Sequence, residues 1–183
     1  MDNTFRLIIA QLNARAGDLA GNAKKVRKAF KTAQKLNANY IAFPEMFLIG
    51  YQVGDLVRKP AFVKEVMSLV EELAAEFETG PSVGLGAPYF DGKDLFNAYY
   101  ILRKGKIETV VRKHFLPNDN EFDEKRFFSE GAISGPYNID GVKIGVLAGS
   151  LLSTVFGYVL LLLFCLLYTS DAADEGLGVD LGG

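Results

Sequence analysis

The feature that most constrains this chain is a run of 27 uncharged positions, Ile144 to Ser170, because it divides the sequence into two unlike parts. All 20 basic residues and all but four of the 22 acidic residues precede this run. The front mixes apolar runs with charged segments, as globular domains do, whereas the back is rich in leucine and then glycine. We therefore treat residues 1–147 and 148–183 as separate units.

The front predicts a layered α/β domain, because apolar strands alternate with amphipathic helices. Apolar runs predict strands within residues 5–12, covered on both faces, and within 40–43. Helices are expected over Leu19–Leu36 and Pro60–Phe77, where apolar side chains recur at helical spacing and proline suits a first helical turn. After Gly80 the pattern changes to strands near 82–90, 95–103 and 107–113, joined at Asp91-Gly92 and Lys104-Gly105, with another hairpin at Asp140-Gly141.

Composition excludes several kinds of site. A single cysteine and a single histidine exclude a disulfide framework, a thiolate zinc cluster and an iron–sulfur centre. A net charge of -2 gives no support to nucleic-acid binding. The pair Gly84 and Gly86 is too short for a nucleotide loop, since no third glycine and no helix start follow it. The sequence therefore predicts no metal site.

Two charged residues follow apolar strands directly, at the positions where α/β sheets gather catalytic groups. Glu45 comes after the strand at 40–43, and Lys113 ends the strand at 107–113. If these strands are neighbours, a carboxylate and an ammonium meet at one edge of the sheet. They would supply a general base and an oxyanion stabiliser for attack on a carbonyl. On spacing alone, an ion pair with a structural role is the commoner interpretation.

A set of ordered motifs identifies the family. The motifs are AQLNARAGDLAGN, FPEMFLIGY, GDLVRKPAF, VGLGAP, LFNAYYIL and RKHFLPNDNEFDEKRFF. In this order they resemble the N-terminal glutaminase domain of glutamine-dependent NAD+ synthetases, within the nitrilase (carbon–nitrogen hydrolase) superfamily. The resemblance covers residues 4–147, and so many ordered matches are far more specific than one short motif.

The resemblance implies a fold and a set of site residues. The fold would be an α-β-β-α sandwich, incomplete on its C-terminal side. Glu45 would be the catalytic base and Lys113 the oxyanion-stabilising lysine of a Glu-Lys-Cys triad. Tyr51 matches a tyrosine that contacts glutamine, whereas Asp119 stands where the family often has a second such tyrosine. His114 has no assigned role and is expected at the surface.

The same resemblance implies partners and a location. Glutamine would be the substrate, and the ammonia would pass to a C-terminal synthetase domain that this chain lacks. ATP and deamido-NAD would bind that missing domain, so we expect no cofactor in the present one. Relatives in the superfamily assemble into homo-oligomers, and we expect a cytoplasmic protein.

The nucleophile is where the chain departs from the family. The strand after the Asp140-Gly141 hairpin ends in a cysteine in the family, but here Gly149 stands at that position. Without a thiol the base has no proton to take, and no acyl-enzyme forms. An intact amidase would need Ser150, one residue out of register, or Cys165, inside a leucine-rich run, to enter the pocket. We expect neither to act.

The tail allows two interpretations. Residues 151–168 are apolar or weakly polar, at the short end of the length that crosses a bilayer. This segment could tether a non-catalytic nitrilase-like binding module to a membrane, which is the alternative function. Against this, the family resemblance stops inside a strand, and CLLYTSDAADE resembles translated adaptor sequence. We therefore interpret residues 148–183 as a non-homologous tail produced by sequence assembly.

Overall fold

A five-stranded mixed sheet organises the domain in this computed structural model, which describes residues 4–51, 53–117 and 123–146. The strands lie in chain order: β1 (Leu7–Ile9), β2 (Tyr40–Ala42), β3 (Ser82–Phe90), β4 (Leu95–Arg103) and β5 (Lys106–Arg112). The first three are parallel, and β4 and β5 add antiparallel to their neighbours. Since β4 reverses the direction once and β5 reverses it again, β2, β3 and β5 end at the same edge.

Two helices cover one face of the sheet. They are α1 (Leu19–Lys35) and α2 (Pro60–Glu76), within one residue of the predicted bounds. Asp18 caps α1 by accepting a hydrogen bond from the backbone N–H of Gly21, and Pro60 occupies the first turn of α2. The helices share one buried cluster with inward residues of the sheet, including Ile41, Leu85 and Tyr100. This helix-covered face holds most of the described core.

A hairpin lies on the opposite face. It consists of β6 (Tyr137–Ile139) and β7 (Val142–Ile144), joined by a turn with positive φ at Asp140 and Gly141, as predicted from the Asp-Gly pair. Ile139 is buried against Tyr40 and Ile101 of the large sheet. The domain is therefore layered as helices, sheet and hairpin, which confirms the α/β class and the incomplete second layer.

Two sequence predictions on burial are wrong. The strand near residues 5–12 is not covered on both faces, because Ile9 is 66% exposed and Leu7 is 51% exposed on the hairpin side of the sheet. The hairpin reaches Tyr40 but leaves this end of the face open. Leu36, expected to point inward, is exposed because α1 ends at Lys35 and the chain turns away there.

The tail predictions lie outside the described residues. This applies to Gly149, Ser150, Cys165 and the apolar run 151–168. Within the part of the chain that the structure describes, no helix is long and apolar enough to span a membrane.

Candidate active site

A narrow turn carries Glu45 across the sheet. After β2, residues 43–48 continue along β3, because the N–H groups of Phe43 and Leu48 donate to the carbonyls of Gly84 and Gly86. Gly86 is required for this approach, since a Cβ there would lie 2.4 Å from the backbone nitrogen of Met46. The glycines that do not fit a nucleotide loop thus let the Glu45 turn lie directly on the sheet.

Loops near α1 hold the same turn from behind. Asn22, fully buried in α1, donates to the carbonyls of Leu48 (3.1 Å) and Arg15 (2.8 Å) and accepts from the N–H of Arg15. The N–H of Gly17 donates to the carbonyl of Ile49 at 2.8 Å. These bonds satisfy buried polar groups and fix the backbone that follows Glu45.

The structure brings Glu45 and Lys113 together at the edge where β2 and β5 end. Lys113 Nζ lies 2.7 Å from Glu45 Oε1, and its side chain is only 9% exposed. The Glu45 side chain is 40% exposed, so this carboxylate faces open space while the lysine is enclosed. The meeting of these two residues was predicted from their positions after strands.

A second carboxylate was not predicted from the sequence. Glu124, in the short 3-10 helix Glu124–Arg126, accepts a hydrogen bond from Lys113 Nζ through Oε1 at 2.9 Å and is also 9% exposed. Its Oε2 is buried and has no hydrogen-bond partner among the residues that the structure describes. One ammonium therefore lies between two carboxylates, leaving an excess negative charge that favours a hydrogen-bond donor as ligand. The only signal in the sequence was its place in the FDEKR motif.

Tyr51 joins this cluster from the first long loop. Its hydroxyl donates to Glu124 Oε1 at 3.2 Å. Burial, followed by the charges of Glu45 and Glu124, raises the pKa of Tyr51 well above its ordinary value, so the hydroxyl keeps its proton. Asp119, the other predicted substrate contact, lies outside the described residues.

Asn97 is a further residue that sequence reasoning did not single out, although it stands in the LFNAYYIL motif. Its Nδ2 donates to Glu45 Oε1 at 2.5 Å, and its carbonyl accepts the N–H of Lys113 at 2.8 Å. The residue is buried near the start of β4. It therefore touches both members of the predicted pair.

His114 lies beside the cluster and points away from it. Its Nδ1 is 2.7 Å from the carbonyl of Gly131, and the ring is half-buried rather than on the open surface as expected. Since the N–H of Gly131 donates to the carbonyl of Lys113, His114 and Lys113 together hold the following loop. We assign His114 no role in chemistry.

A cavity of about 340 Å³ opens beside the cluster. Asn97, Tyr51 and Glu124 supply polar lining, and Phe127, Phe128, Val57 and Met46 are among the apolar residues. Such a volume suits a small, partly polar molecule. A larger cavity of about 740 Å³ lies outside α2 and is mostly apolar; it shares only Val57 and Phe127 with the first.

The fold and the site together define a class. A helix-backed mixed sheet with a second layer on its other face, and a Glu–Lys–Glu cluster beside a cavity, is the arrangement of a nitrilase-type α/β protein. The chain belongs to the carbon-nitrogen hydrolase family, whose sequence profile matches residues 6–148.

Curated relatives narrow the resemblance. The chain is 42% identical over 146 residues to the glutamine-dependent NAD(+) synthetase of Rhodobacter capsulatus, covering 80% of this chain and 26% of the relative. It is 34% identical over 141 residues to the synthetase of Aquifex aeolicus, covering 76% and 24%. The chain thus spans about a quarter of these relatives and matches only their N-terminal glutaminase domain.

Solved structures agree on the fold. The glutamine-dependent NAD+ synthetase of Acinetobacter baumannii, solved with ADP, superposes with a TM-score of 0.73 at 29% identity, covering 78% of this chain and 27% of that one. The NitN amidase from Neterenkonia sp. AN1 superposes with a TM-score of 0.63 at 19% identity, covering 79% and 56%. The second likeness shows the fold alone.

Proposed function

We propose that residues 4–147 form the base-and-lysine half of a glutaminase site, from a protein that feeds ammonia to NAD+ synthesis. The observation that carries this proposal is the Lys113 ammonium held between Glu45 and Glu124 beside a small cavity. The relatives are named for glutamine-dependent NAD+ synthesis, which makes glutamine the substrate that best fits. We expect such a protein to work in the cytoplasm and, like its superfamily, as a homo-oligomer.

The protons of Lys113 support its proposed role. An ammonium has three N–H donors, of which two are directed to Glu45 and Glu124. The third can bind the oxyanion that forms when an amide carbonyl is attacked. Because both carboxylates hold Nζ in place, this donor is oriented before the substrate arrives.

Glu45 is suited to accept a proton. Its exposed carboxylate would take the proton of an attacking thiol and later return it to the leaving ammonia. In a related amidase from Nesterenkonia sp., acrylamide adds at the active site cysteine. In the present chain that position is Gly149, so we propose that the chain as written carries out no such attack.

The unpartnered oxygen of Glu124 is consistent with an amide substrate. An amide NH₂ is a donor, and Glu124 Oε2 is a buried acceptor with none among the described residues. Binding the amide there would place its carbonyl carbon near Lys113 and Glu45. Tyr51, whose hydroxyl remains a donor, would contact the polar end of the same ligand.

A chimera tests the proposal directly. Residues 1–147 would replace the matching N-terminal segment of the R. capsulatus synthetase, whose remaining part supplies the cysteine and the synthetase domain. We expect this chimera to form NAD+ from deamido-NAD and ATP with glutamine as nitrogen source. Glu45→Gln or Lys113→Met should lower this glutamine-supported rate by about 100-fold or more.

Ammonium chloride provides the control, because added ammonia bypasses the glutaminase. Both variants should retain ammonium-supported synthesis, and the exposed ion-pair variants Lys93→Met and Asp94→Asn should leave both rates unchanged. Glutamine-supported synthesis that survives Glu45→Gln would contradict the assignment of the base.

The full 183-residue chain should release no ammonia from glutamine. The physical reason is the absence of a thiol at position 149, since removing the nucleophile leaves only binding and oxyanion effects. The measurement is a coupled ammonia assay. Ammonia release that disappears in Glu45→Ala would show that another residue replaces the cysteine.

A further inference from the structure

Asn97 occupies the one position in the described chain that contacts both the proposed base and the proposed oxyanion donor. Its side chain donates to Glu45 Oε1, and its backbone carbonyl accepts the N–H of Lys113. The strand β4 is held between β3 and β5 on both sides. Asn97 is therefore a rigid reference point from which both groups are placed.

The bond to Glu45 differs from an ordinary buried asparagine contact. The amide of Asn22 donates to backbone carbonyls, which is a structural use, whereas that of Asn97 donates to a carboxylate that faces open space. Tyr99, two residues along the same face, donates to the carbonyl of Phe43 at 2.9 Å and holds the backbone of the turn. The backbone is thus fixed by Tyr99, and the Glu45 side chain is fixed separately by Asn97.

The two donors to Glu45 converge on a single oxygen. Asn97 Nδ2 and Lys113 Nζ both bind Oε1, at 2.5 and 2.7 Å. Among the described residues nothing donates to Oε2. The carboxylate is consequently held by one oxygen, and the other is left to receive a proton.

We infer that Asn97 is a positioning residue that fastens Glu45 by Oε1 and so assigns the proton-accepting role to Oε2. This inference rests on the proposed function of Glu45 as a base. Asn97 does not touch the substrate amide in this scheme; it acts through Glu45. No other side chain fits the position well, because aspartate would repel Glu45, alanine would donate nothing and glutamine is one methylene longer.

The first test reads the bond itself by NMR on the ¹⁵N-labelled full chain. A side-chain amide that donates to a carboxylate resonates downfield, so one Asn97 Hδ2 proton should stand apart from those of exposed asparagines. In Glu45→Gln this resonance should move upfield, and in Glu45→Ala it should reach the position of a free amide. The Asn22 side-chain amide is the internal control and should not move.

The second test exchanges donor and acceptor and follows unfolding of the full chain in urea. Asn97→Asp alone should lower the unfolding midpoint, because two carboxylates then face each other. Adding Glu45→Gln should raise that midpoint again, since the side-chain amide introduced by this second substitution can donate to the new carboxylate. Glu45→Gln in the wild-type background should give no such rise.

The two outcomes decide the inference without any substrate. An Asn97 amide that is insensitive to Glu45, or an Asn97→Asp midpoint that Glu45→Gln does not raise, would overturn it. The NMR test needs no change at Asn97, so it remains decisive if Asn97→Asp fails to fold. Loss of glutaminase activity in the chimera would overturn the proposed function and leave these readouts unaffected.

Discussion

At the scale of single residues, the candidate site depends on contacts that permit no extra atoms. A Cβ at Gly86 would meet the backbone of Pro44, Glu45 and Met46 at 2.4 to 2.8 Å. Backbone atoms cannot move aside as a flexible side chain would. The glycine therefore sets the height of the Glu45 turn above the sheet.

Replacing that glycine provides a prediction. Gly86→Ala should destabilise the full chain by about 1–3 kcal/mol, the usual cost of overpacking, and should separate Glu45 from Asn97. Urea unfolding measures the first effect, and the downfield Asn97 amide resonance measures the second. Gly135→Ala is the matched control, because a Cβ there meets nothing within 4 Å. Equal stability of the two variants would contradict the close approach.

Asn97 should affect turnover more than binding. In the chimera, Asn97→Ala should lower the glutamine-supported kcat about tenfold to hundredfold, a part of what a general base contributes, with KM changed little. The reason is that Glu45 remains present but loses its fixed orientation. A change confined to KM would instead indicate that Asn97 contacts the substrate.

At the scale of secondary-structure elements, α1 is joined to the site by one buried polar side chain. Asn22 makes three hydrogen bonds to the two loops that flank the Glu45 turn. Asn22→Ala leaves the carbonyls of Arg15 and Leu48 without these donors, so we expect a loss of about 2–3 kcal/mol in the free energy of unfolding. Urea denaturation measures it. Lys24→Ala, exposed on the same helix, should change stability by less than about 0.5 kcal/mol.

The two helices are also linked by an ion pair whose strength depends on pH. Arg27 donates to Glu76 at 2.6 and 2.7 Å and to Glu72 at 2.7 Å. The side-chain hydrogen bond from Arg27 lowers the pKa of Glu76 below its ordinary value of 4.5. A lowered carboxyl pKa stabilises the fold above the ordinary value, and this contribution is lost as the pH falls through the lowered one.

Removing the arginine tests that sign. Arg27→Met should cost about 0.2–1 kcal/mol at pH 7, as exposed ion pairs do, and less at pH 2.5 where the carboxylates are protonated. The free energies of unfolding in urea at both pH values give the comparison. A larger cost at low pH would be the opposite of what the Arg27–Glu76 bond requires.

At the scale of the whole molecule, one face of the sheet is closed and the other is partly open. The helix side buries Ile41 to 1% exposure, whereas Ile9, on the neighbouring strand and facing the hairpin side, is 66% exposed. The described chain ends with the first hairpin of the second layer. The layer that the nitrilase fold places over Ile9 belongs to the remaining length of the relatives.

The two isoleucines make a matched pair for this point. In the full chain, Ile41→Ala should cost about 2–5 kcal/mol because it leaves a cavity in the core, while Ile9→Ala should cost well under 1 kcal/mol. Urea unfolding measures both. In the chimera, where a second layer is present, the cost of Ile9→Ala should rise towards that of Ile41→Ala. An unchanged small cost there would mean that nothing covers this end of the sheet.

Local pattern was sufficient for most of the elements. Helical spacing of apolar residues located α1 and α2, and the Asp-Gly and Lys-Gly pairs located turns that need positive φ. Because periodicity and turn chemistry act within a few residues, these features can be read without a fold. Burial cannot, since it depends on what packs above a strand, which is why the prediction for β1 was wrong.

The same division holds for the candidate site. The sequence by itself determined that Glu45 and Lys113 follow strands, and the ordered motifs determined the family, since both are properties of adjacent residues. Only the tertiary structure decided that Asn97 and Glu124 complete the cluster. Asn97 is 52 residues from Glu45, and Glu124 reaches Lys113 from a short 3-10 helix beyond the sheet. Such contacts arise from how β4 pairs and where the chain folds back, and no local pattern specifies either.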